Sequence, residues 1–319
     1  MSEYHINWQP DADLAYLQRR AQLYQRIRQF FAERDVLEVE TPVLSHAAVP
    51  EPSIEPLSTQ LYGEHNLYLQ TSPELPMKRL LAAGSGAIFQ ICKVFRDDEF
   101  GRWHNPEFSL LEWYRPDFNQ DDLIQEVSAF LQFILDCPPA KIITYEQIFD
   151  IYLSIHPLET ELSELQQFIK KFGLDDVKAF DRDTCLQLLM SYEIEPRLPH
   201  DYPIAIKDFP ASQAALARKN PDNPQWAARF EVYFKGAELA NGFHELTDPI
   251  EQRQRFGQDL IKRAENGQTM LPIDEHFLAA LDAGLPDCAG VALGVDRLLM
   301  LWLGVDNIQE VLSFSIKRC

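Results

Sequence analysis

Four groups of residues in this chain have the types and spacing that chemistry needs. The first lies on the run Phe108-Ser-Leu110-Leu-Glu112-Trp-Tyr114. Read as a strand, it puts every second side chain on one face, so Phe108, Leu110, Glu112 and Tyr114 line up. A carboxylate in that apolar, aromatic row is costly unless a cation meets it. A structural arginine or a cationic ligand would serve equally. The second group lies on 229–245. Lys235-Gly236 reads as a two-residue turn, which places Tyr233 opposite Glu238 and Ala240 opposite Glu231. Glu231 and Glu238 would then lie diagonally on one face, about 7 Å apart by Cα, near enough to share divalent cations or flank a polyphosphate. Asn241, Phe243 and Glu245 share a face by the same rule, with parity opposite to that of Glu238. Either a bulge near Asn241-Gly242 switches the register, or only one set faces a site. Taken singly, each acid is an ordinary member of a solvated face.

The third group is Gly290-Val-Ala-Leu-Gly294-Val-Asp-Arg297, a strand running through glycine into a helix with an arginine in its first turn. Small residues let a ligand approach the backbone, and Arg297 supplies a fixed fork for phosphate or a flat cation for a purine face. The fourth is Arg96, Arg102 and His104, a dense positive group on one loop. Beside a triphosphate these three would clamp it; otherwise they are a charged loop.

The elements that must position these groups follow from periodicity. Leu14, Leu17, Ala21, Tyr24, Ile27 and Phe31 recur every three or four residues, which predicts an amphipathic helix over 13–31. Residues 36–40 alternate as a strand and stop at Thr41-Pro42. Residues 47–63, with Pro50, Pro52 and Pro56, read as irregular loop. A strand is expected over 66–71, then a helix with Ser72 as its hydroxyl N-cap, ending at Gly84. Residues 87–95 and 106–115 form a hairpin around the charged loop 96–105. Helices over 121–136, 145–153, 161–172 and 182–192 make a mostly helical insertion, at about 120–200, in a single domain spanning 1–319. Strand character returns over 230–245, and helix over 249–265 and 274–283. Without a βαβ rhythm, the fold class is α+β: a mixed or antiparallel sheet flanked by helices.

Composition excludes some classes. The 319 residues carry 29 Lys+Arg against 49 Asp+Glu, a formal charge of −20. Binding to nucleic acid rests largely on Lys and Arg releasing counterions from phosphates, so a broad polynucleotide grip is not expected. Cys92, Cys137, Cys185, Cys288 and Cys319 show no Cys-x-x-Cys pair and read as reduced thiols. Residues 1–20 include Glu3, Asp11 and Asp13, so no secretory signal is expected. The apolar run 291–305 is too short to span a membrane and contains Asp296 and Arg297. A cytoplasmic protein is the expectation.

Read in order, these pieces resemble the three signature motifs of class II aminoacyl-tRNA synthetases. Glu38-Val-Glu-Thr-Pro42 resembles motif 1, a dimer element. Phe95-Arg96-Asp97-Asp98-Glu99 with His104-Asn105-Pro106-Glu107-Phe108 resembles motif 2, and Gly290 to Arg297 resembles motif 3. Thr71-Ser-Pro-Glu-Leu75, Glu112-Trp-Tyr114 and Glu238-Leu-Ala-Asn-Gly-Phe-His-Glu245 are similar to the lysyl branch. The resemblance implies that Arg96 holds the α-phosphate and the substrate carboxylate and, with Arg297, is catalytic. It implies that Phe108 and Arg297 sandwich adenine, that Asp97, Asp98, Arg102, His104, Asn105 and Leu239 contact the nucleotide, and that Gly294 lets it lie against backbone. Glu231 and Glu238 would hold Mg²⁺. Glu245 and Tyr114 would meet a terminal ammonium, while Ser72, Pro73 and Glu74 wall the other amine and Glu112, Asn241 and Phe243 complete the pocket.

Two positions depart from the pattern. Ala292 replaces the middle glycine of motif 3 and narrows the pocket floor, and Asp98 stands one methylene short of the motif 2 glutamate, with Glu99 beside it. Motif 1 begins within the first forty residues, which leaves no room for the anticodon-binding domain that precedes it in lysyl-tRNA synthetases. With the acidic charge, this argues against tRNA as acceptor. A free-standing core of this kind resembles the elongation factor P lysine ligase family, which activates (R)-β-lysine with ATP and transfers it to a lysine ε-amine of elongation factor P. The resemblance implies ATP and Mg²⁺, elongation factor P as protein substrate, a homodimer, and no tRNA or membrane partner. Two other readings are a truncated lysyl-tRNA synthetase using α-lysine and a non-catalytic amino-acid sensor. A sensor would be expected to lose the phosphate arginines or the metal acids, and all are present.

Overall fold

The computed structural model describes residues 8–97, 100–174 and 177–319; Glu3, Asp98 and Glu99 lie outside them. In chain order the elements are helix α1 (Leu14–Ala32), strands β1 (Leu37–Glu38), β2 (Leu44–Ser45), β3 (Ser58–Leu61) and β4 (His65–Leu69), and helix α2 (Glu74–Ala82). Strands β5 (Ile88–Phe95) and β6 (Glu107–Pro116) follow, then helix α3 (Gln120–Leu135), strand β7 (Lys141–Thr144) and helices α4 (Tyr145–Leu153), α5 (Leu162–Ile169) and α6 (Arg182–Leu189). Strands β8 (Ile204–Pro210), β9 (Trp226–Phe234) and β10 (Ala237–His244), helices α7 (Pro249–Glu265) and α8 (Glu275–Gly284), strand β11 (Cys288–Gly294) and helix α9 (Val295–Leu303) complete the order. The content is α+β, as expected. The chain forms two compact units: Met1–Trp113, Pro249–Leu285 and Leu293–Cys319 in one, Tyr114–Asp248 and Pro286–Ala292 in the other.

In the first unit, Asp13 caps α1 by accepting the N–H of Ala15, and the helix buries Leu23, Ile27, Phe30 and Phe31. Phe31 stacks on Phe89 of β5 at 4.5 Å and meets Trp113 of β6 edge-on at 5.3 Å. One face of β5 and β6 is thus committed to α1, and period two turns Gln90, Cys92 and Glu112 to the other. The expected strand over 36–40 is reduced to Leu37–Glu38, parallel to β5. The expected loop over 47–63 contains β3, whose four residues are all exposed. With no buried alternation it leaves no periodic signal, and it exists by antiparallel pairing with β4. Helix α2 starts one residue later than a Ser72 cap predicts: Pro73 holds the cap position, and the Ser72 hydroxyl accepts the Glu74 N–H at 3.0 Å.

In the second unit, the segment read as a helical insertion also contributes strand. Strand β7 pairs parallel with β8, and β8 pairs antiparallel with β9. Strand β7 is four residues long and runs straight into α4, whose Thr144–Gln147 capping box masks it in a periodicity reading. Tyr145, Phe149, Leu186 and Ile206 share the core of this unit. Lys235 and Gly236 both have positive φ, 50° and 77°, the geometry of a tight primed hairpin turn. Glu238 lies opposite Tyr233 as expected, but the register then shifts between Glu238 and Ala240. Ala240 meets Val232, not Glu231, and Asn241 takes the place opposite Glu231. The cause is a bulge at Leu239, two residues before the expected Asn241-Gly242 position.

Candidate active site

The bulge decides which side chains share a face in the second unit. Arg229, Glu231 and Tyr233 alternate along β9, and their partners across the ladder are Phe243, Asn241 and Glu238. The extra residue absorbs the odd step between Glu238 and Asn241, so all six share one face. Leu239 itself is buried. Glu231, 7% exposed, is held at both oxygens: Arg229 donates to Oε1 and the Tyr233 hydroxyl to Oε2. Arg229 also donates to the Gln213 carbonyl at 2.7 Å and lies 4.6 Å over the Phe209 ring. Burial, then the charge of Glu231, pushes the Tyr233 phenol well above its usual range, so it stays protonated and donating. The Oδ1 of Asn241 is buried with no hydrogen-bond partner, which leaves an acceptor for a ligand donor.

These donors fit a hard cation bound with phosphate. Glu231 and Glu238 offer carboxylate oxygens, and among the described residues no group of three or more His, Cys, Asp or Glu side chains could hold a metal alone. Mg²⁺ is commonly held in this way, by one or two carboxylates plus substrate phosphates and water.

Glu245 follows β10 and is 1% exposed. Its N–H donates to the Cys288 carbonyl at 3.0 Å, and its own carbonyl accepts Nε of Arg218 at 2.9 Å. Arg218 is paired with Asp287, which also meets Nε2 of His244 at 2.9 Å. Burial, then Arg218, holds the His244 imidazole below its usual pKa and favours its neutral form. Tyr114 and Gly290 are buried in the same unit, and Ala292 is half-buried.

The cationic groups expected at the nucleotide, Arg96, Arg102, His104 and Arg297, lie in the first unit. The N–H of Arg96 donates to the Pro106 carbonyl at 3.0 Å and that of Asp97 to Glu55 at 2.9 Å, which fixes the end of β5. The Arg96 guanidinium lies 5.2 Å over the Phe108 ring. His104 places Nε2 2.7 Å from Nη2 of Arg297; a guanidinium only donates, so that nitrogen is the acceptor. Arg102 is exposed and pairs with Asp306 at 2.7 Å. Asn105 shapes the loop from both ends, donating to the Glu107 carbonyl at 2.6 Å and accepting the N–H of Ile316 at 3.2 Å. Gly294 leads directly into α9 and Arg297.

Glu112, 2% exposed, accepts a hydrogen bond from the Ser72 hydroxyl at 2.9 Å. Ser72 thereby links Glu112 to the first N–H of α2. Glu74 in turn is paired with Lys78, Nζ to Oε1 at 2.5 Å, and Lys78 is 1% exposed. Asp296 is buried, accepts the Ser109 N–H at 2.7 Å and pairs with Arg20, anchoring the start of α9 next to Arg297.

Some of these supports went unread in the sequence. Lys78 stands four residues after Glu74 on one helix, and Arg229 two before Glu231 on one strand, so each had a local signal. Arg218 and Asp287 meet across 69 positions, a separation for which a single sequence carries no signal.

The family model for class II tRNA synthetases (D, K and N) matches residues 2–318. The elongation factor P–(R)-β-lysine ligase of Vibrio cholerae serotype O1 is 53% identical over 319 residues, 98% of each chain. Those of Klebsiella pneumoniae subsp. pneumoniae and Avibacterium paragallinarum are each 51% identical, over 98% and 100% of both chains respectively. The chain therefore belongs to the class II (D, K and N) tRNA synthetase family, in the branch of the elongation factor P–(R)-β-lysine ligases.

Proposed function

We propose that the chain activates (R)-β-lysine with ATP as an acyl-adenylate and transfers it to a lysine ε-amine of elongation factor P. The relatives carry that name over nearly their full length. The observation that carries the reading is the buried carboxylate of Glu245, following a strand face that also bears Glu231, Glu238 and Asn241. An ammonium about 4 Å from a carboxylate gains on the order of 4 kcal/mol at an effective dielectric near 20. A neutral side chain would leave Glu245 without that partner and be rejected.

In the first step the substrate carboxylate attacks the α-phosphorus of ATP in line, and pyrophosphate leaves. In the second, the acceptor amine attacks the acyl carbon and AMP leaves. Positioning and charge supply the catalysis, and no side-chain nucleophile is needed. Arg96 and Arg297 are the catalytic residues. Arg96 neutralises the α-phosphate and holds the substrate carboxylate, and Phe108 and Arg297 stack on the two faces of adenine. Arg297, with Asp97, Arg102, His104, Asn105 and Leu239, orients the nucleotide, and Gly294 keeps the backbone open to it. Glu231 and Glu238 would hold Mg²⁺, which supplies charge neutralisation at the phosphates when bound. Tyr114 and Glu245 take the terminal ammonium; Ser72, Pro73, Glu74, Glu112, Asn241 and Phe243 line the remainder of the amino-acid site. Ala292 reshapes the wall nearest the β-amine. The active species is a homodimer in the cytoplasm, and a net charge of −20 disfavours tRNA as the acceptor.

ATP–pyrophosphate exchange tests this reading. Arg96→Ala should abolish exchange, and an active variant would refute its role. In the same assay Ala292→Gly should shift preference from (R)-β-lysine toward α-lysine, and an unchanged preference would discard the role of Ala292.

A further inference from the structure

Gly290 occupies a point on β11 where no side chain fits. A Cβ there would lie 2.2 and 2.4 Å from Cε1 and Cδ1 of Tyr114 and 2.5 Å from Oε1 of Glu245. Gly290 is not among the glycines of positive φ, so clearance and not backbone freedom is what the position requires. To reach ordinary contact the ring and the carboxylate would both retreat, by roughly 1 Å or more. Both side chains have little room, since Tyr114 is 2% exposed and Glu245 1%. The main chain of Glu245 is pinned at both ends, its N–H by Cys288 and its carbonyl by Arg218. The shift therefore falls on the two side chains together, the carboxylate and the ring.

Gly242 on β10 supplies a contrast. A Cβ there would lie 2.4 Å from Cζ of Phe230, a core residue directly across the ladder, and less closely, at 3.0 Å, from the Gly290 carbonyl oxygen. Phe230 neighbours Glu231 on β9 and so points to the opposite face. Gly242 makes room for packing, whereas Gly290 makes room for Tyr114 and Glu245.

We propose that Gly290 is a specificity-determining position. Its missing side chain sets where the Glu245 carboxylate stands beside the Tyr114 ring, and with it the distance at which a distal ammonium is accepted. This rests on the reading that Glu245 and Tyr114 receive that ammonium. A side chain at 290 displaces the carboxylate and changes the length of diamino acid that fits.

The test is pyrophosphate exchange by the full chain with (R)-β-lysine and with 3,5-diaminopentanoate, one methylene shorter. Gly290→Ala should raise KM for β-lysine about tenfold or more and change the kcat/KM ratio of the two substrates by a similar factor, with KM for ATP held within about twofold. Gly242→Ala, whose nearest contact is Phe230, should lower the thermal midpoint and change the substrate ratio much less than Gly290→Ala. If Gly290→Ala does not fold, Gly290→Ala/Tyr114→Leu, which removes the ring the Cβ meets, carries the same expectation for the ratio when compared with Tyr114→Leu alone. An unchanged ratio, or an equal change in Gly242→Ala, overturns the proposal. Glu245→Gln separates the two levels: no rise in its KM for β-lysine refutes the ammonium reading, whereas a rise there with an unchanged ratio in Gly290→Ala refutes only the role of Gly290.

Discussion

Glu231 on β9 stands opposite Asn241 on β10. That pairing exists because Leu239 is an extra residue in the ladder, and it turns Asn241 and Phe243 to the side that bears Glu231 and Glu238. Without the bulge, every side chain beyond it would point to the other face. One inserted residue thus brings the acids and the orphaned Asn241 carbonyl oxygen onto a common surface.

The two acids on that surface should govern divalent-ion binding. Glu231→Gln keeps one acceptor oxygen for Arg229 and turns its NH2 toward the Tyr233 hydroxyl while removing the charge, and Glu238→Gln removes the charge at the hairpin end. Each should weaken Mn²⁺ binding in the presence of a non-hydrolysable ATP analogue by about tenfold or more, read by water proton relaxation. Wild-type titrations in both variants would remove them from the metal site.

The pair Glu74–Lys78 is buried, so breaking it on one side should cost more than removing it whole. Lys78→Met strands a carboxylate and should lose about 3–5 kcal/mol in urea unfolding, while Glu74→Gln/Lys78→Met should recover much of that loss. A single-variant loss within error, or a double variant no better than the single, would contradict the account of this pair.

Much of this molecule was legible from period alone. Helix α1, the turn at Lys235-Gly236 and the strands flanking the charged loop fall where apolar spacing and turn chemistry put them. The failures have physical causes. Strand β3 is exposed on all four residues and gives no alternation, and β7 is hidden by the capping box that follows it. The clash of parity between Glu238 and Asn241 leaves a bulge as one of two readings, but not its place at Leu239, because a buried Leu in a strand looks the same in or out of register. The supports of Glu245 were invisible for a different reason: Arg218, His244 and Asp287 are brought together only by the fold.

Asp259 on α7 gives the stability a pH signature. Burial, then the nearby Glu51 charge, raises its carboxyl to about 6. Between about pH 4 and 6 the folded chain then holds a proton that the unfolded chain has released, so this group's contribution falls as pH rises through that window. Asp259→Asn should gain on the order of 1 kcal/mol at pH 7, after allowance for solvent screening, and nothing at pH 4. Urea midpoints at the two pH values measure this; an equal effect at both would show that Asp259 titrates normally.

The central claim is tested most directly by one transfer reaction. Purified protein, ATP and isotope-labelled (R)-β-lysine or α-lysine are incubated with elongation factor P and tRNA together, and the label is followed to its acceptor. The account predicts label from (R)-β-lysine on a lysine of elongation factor P, less from α-lysine, and none on tRNA. Label on tRNA, or ATP turnover with no label on elongation factor P, would contradict it.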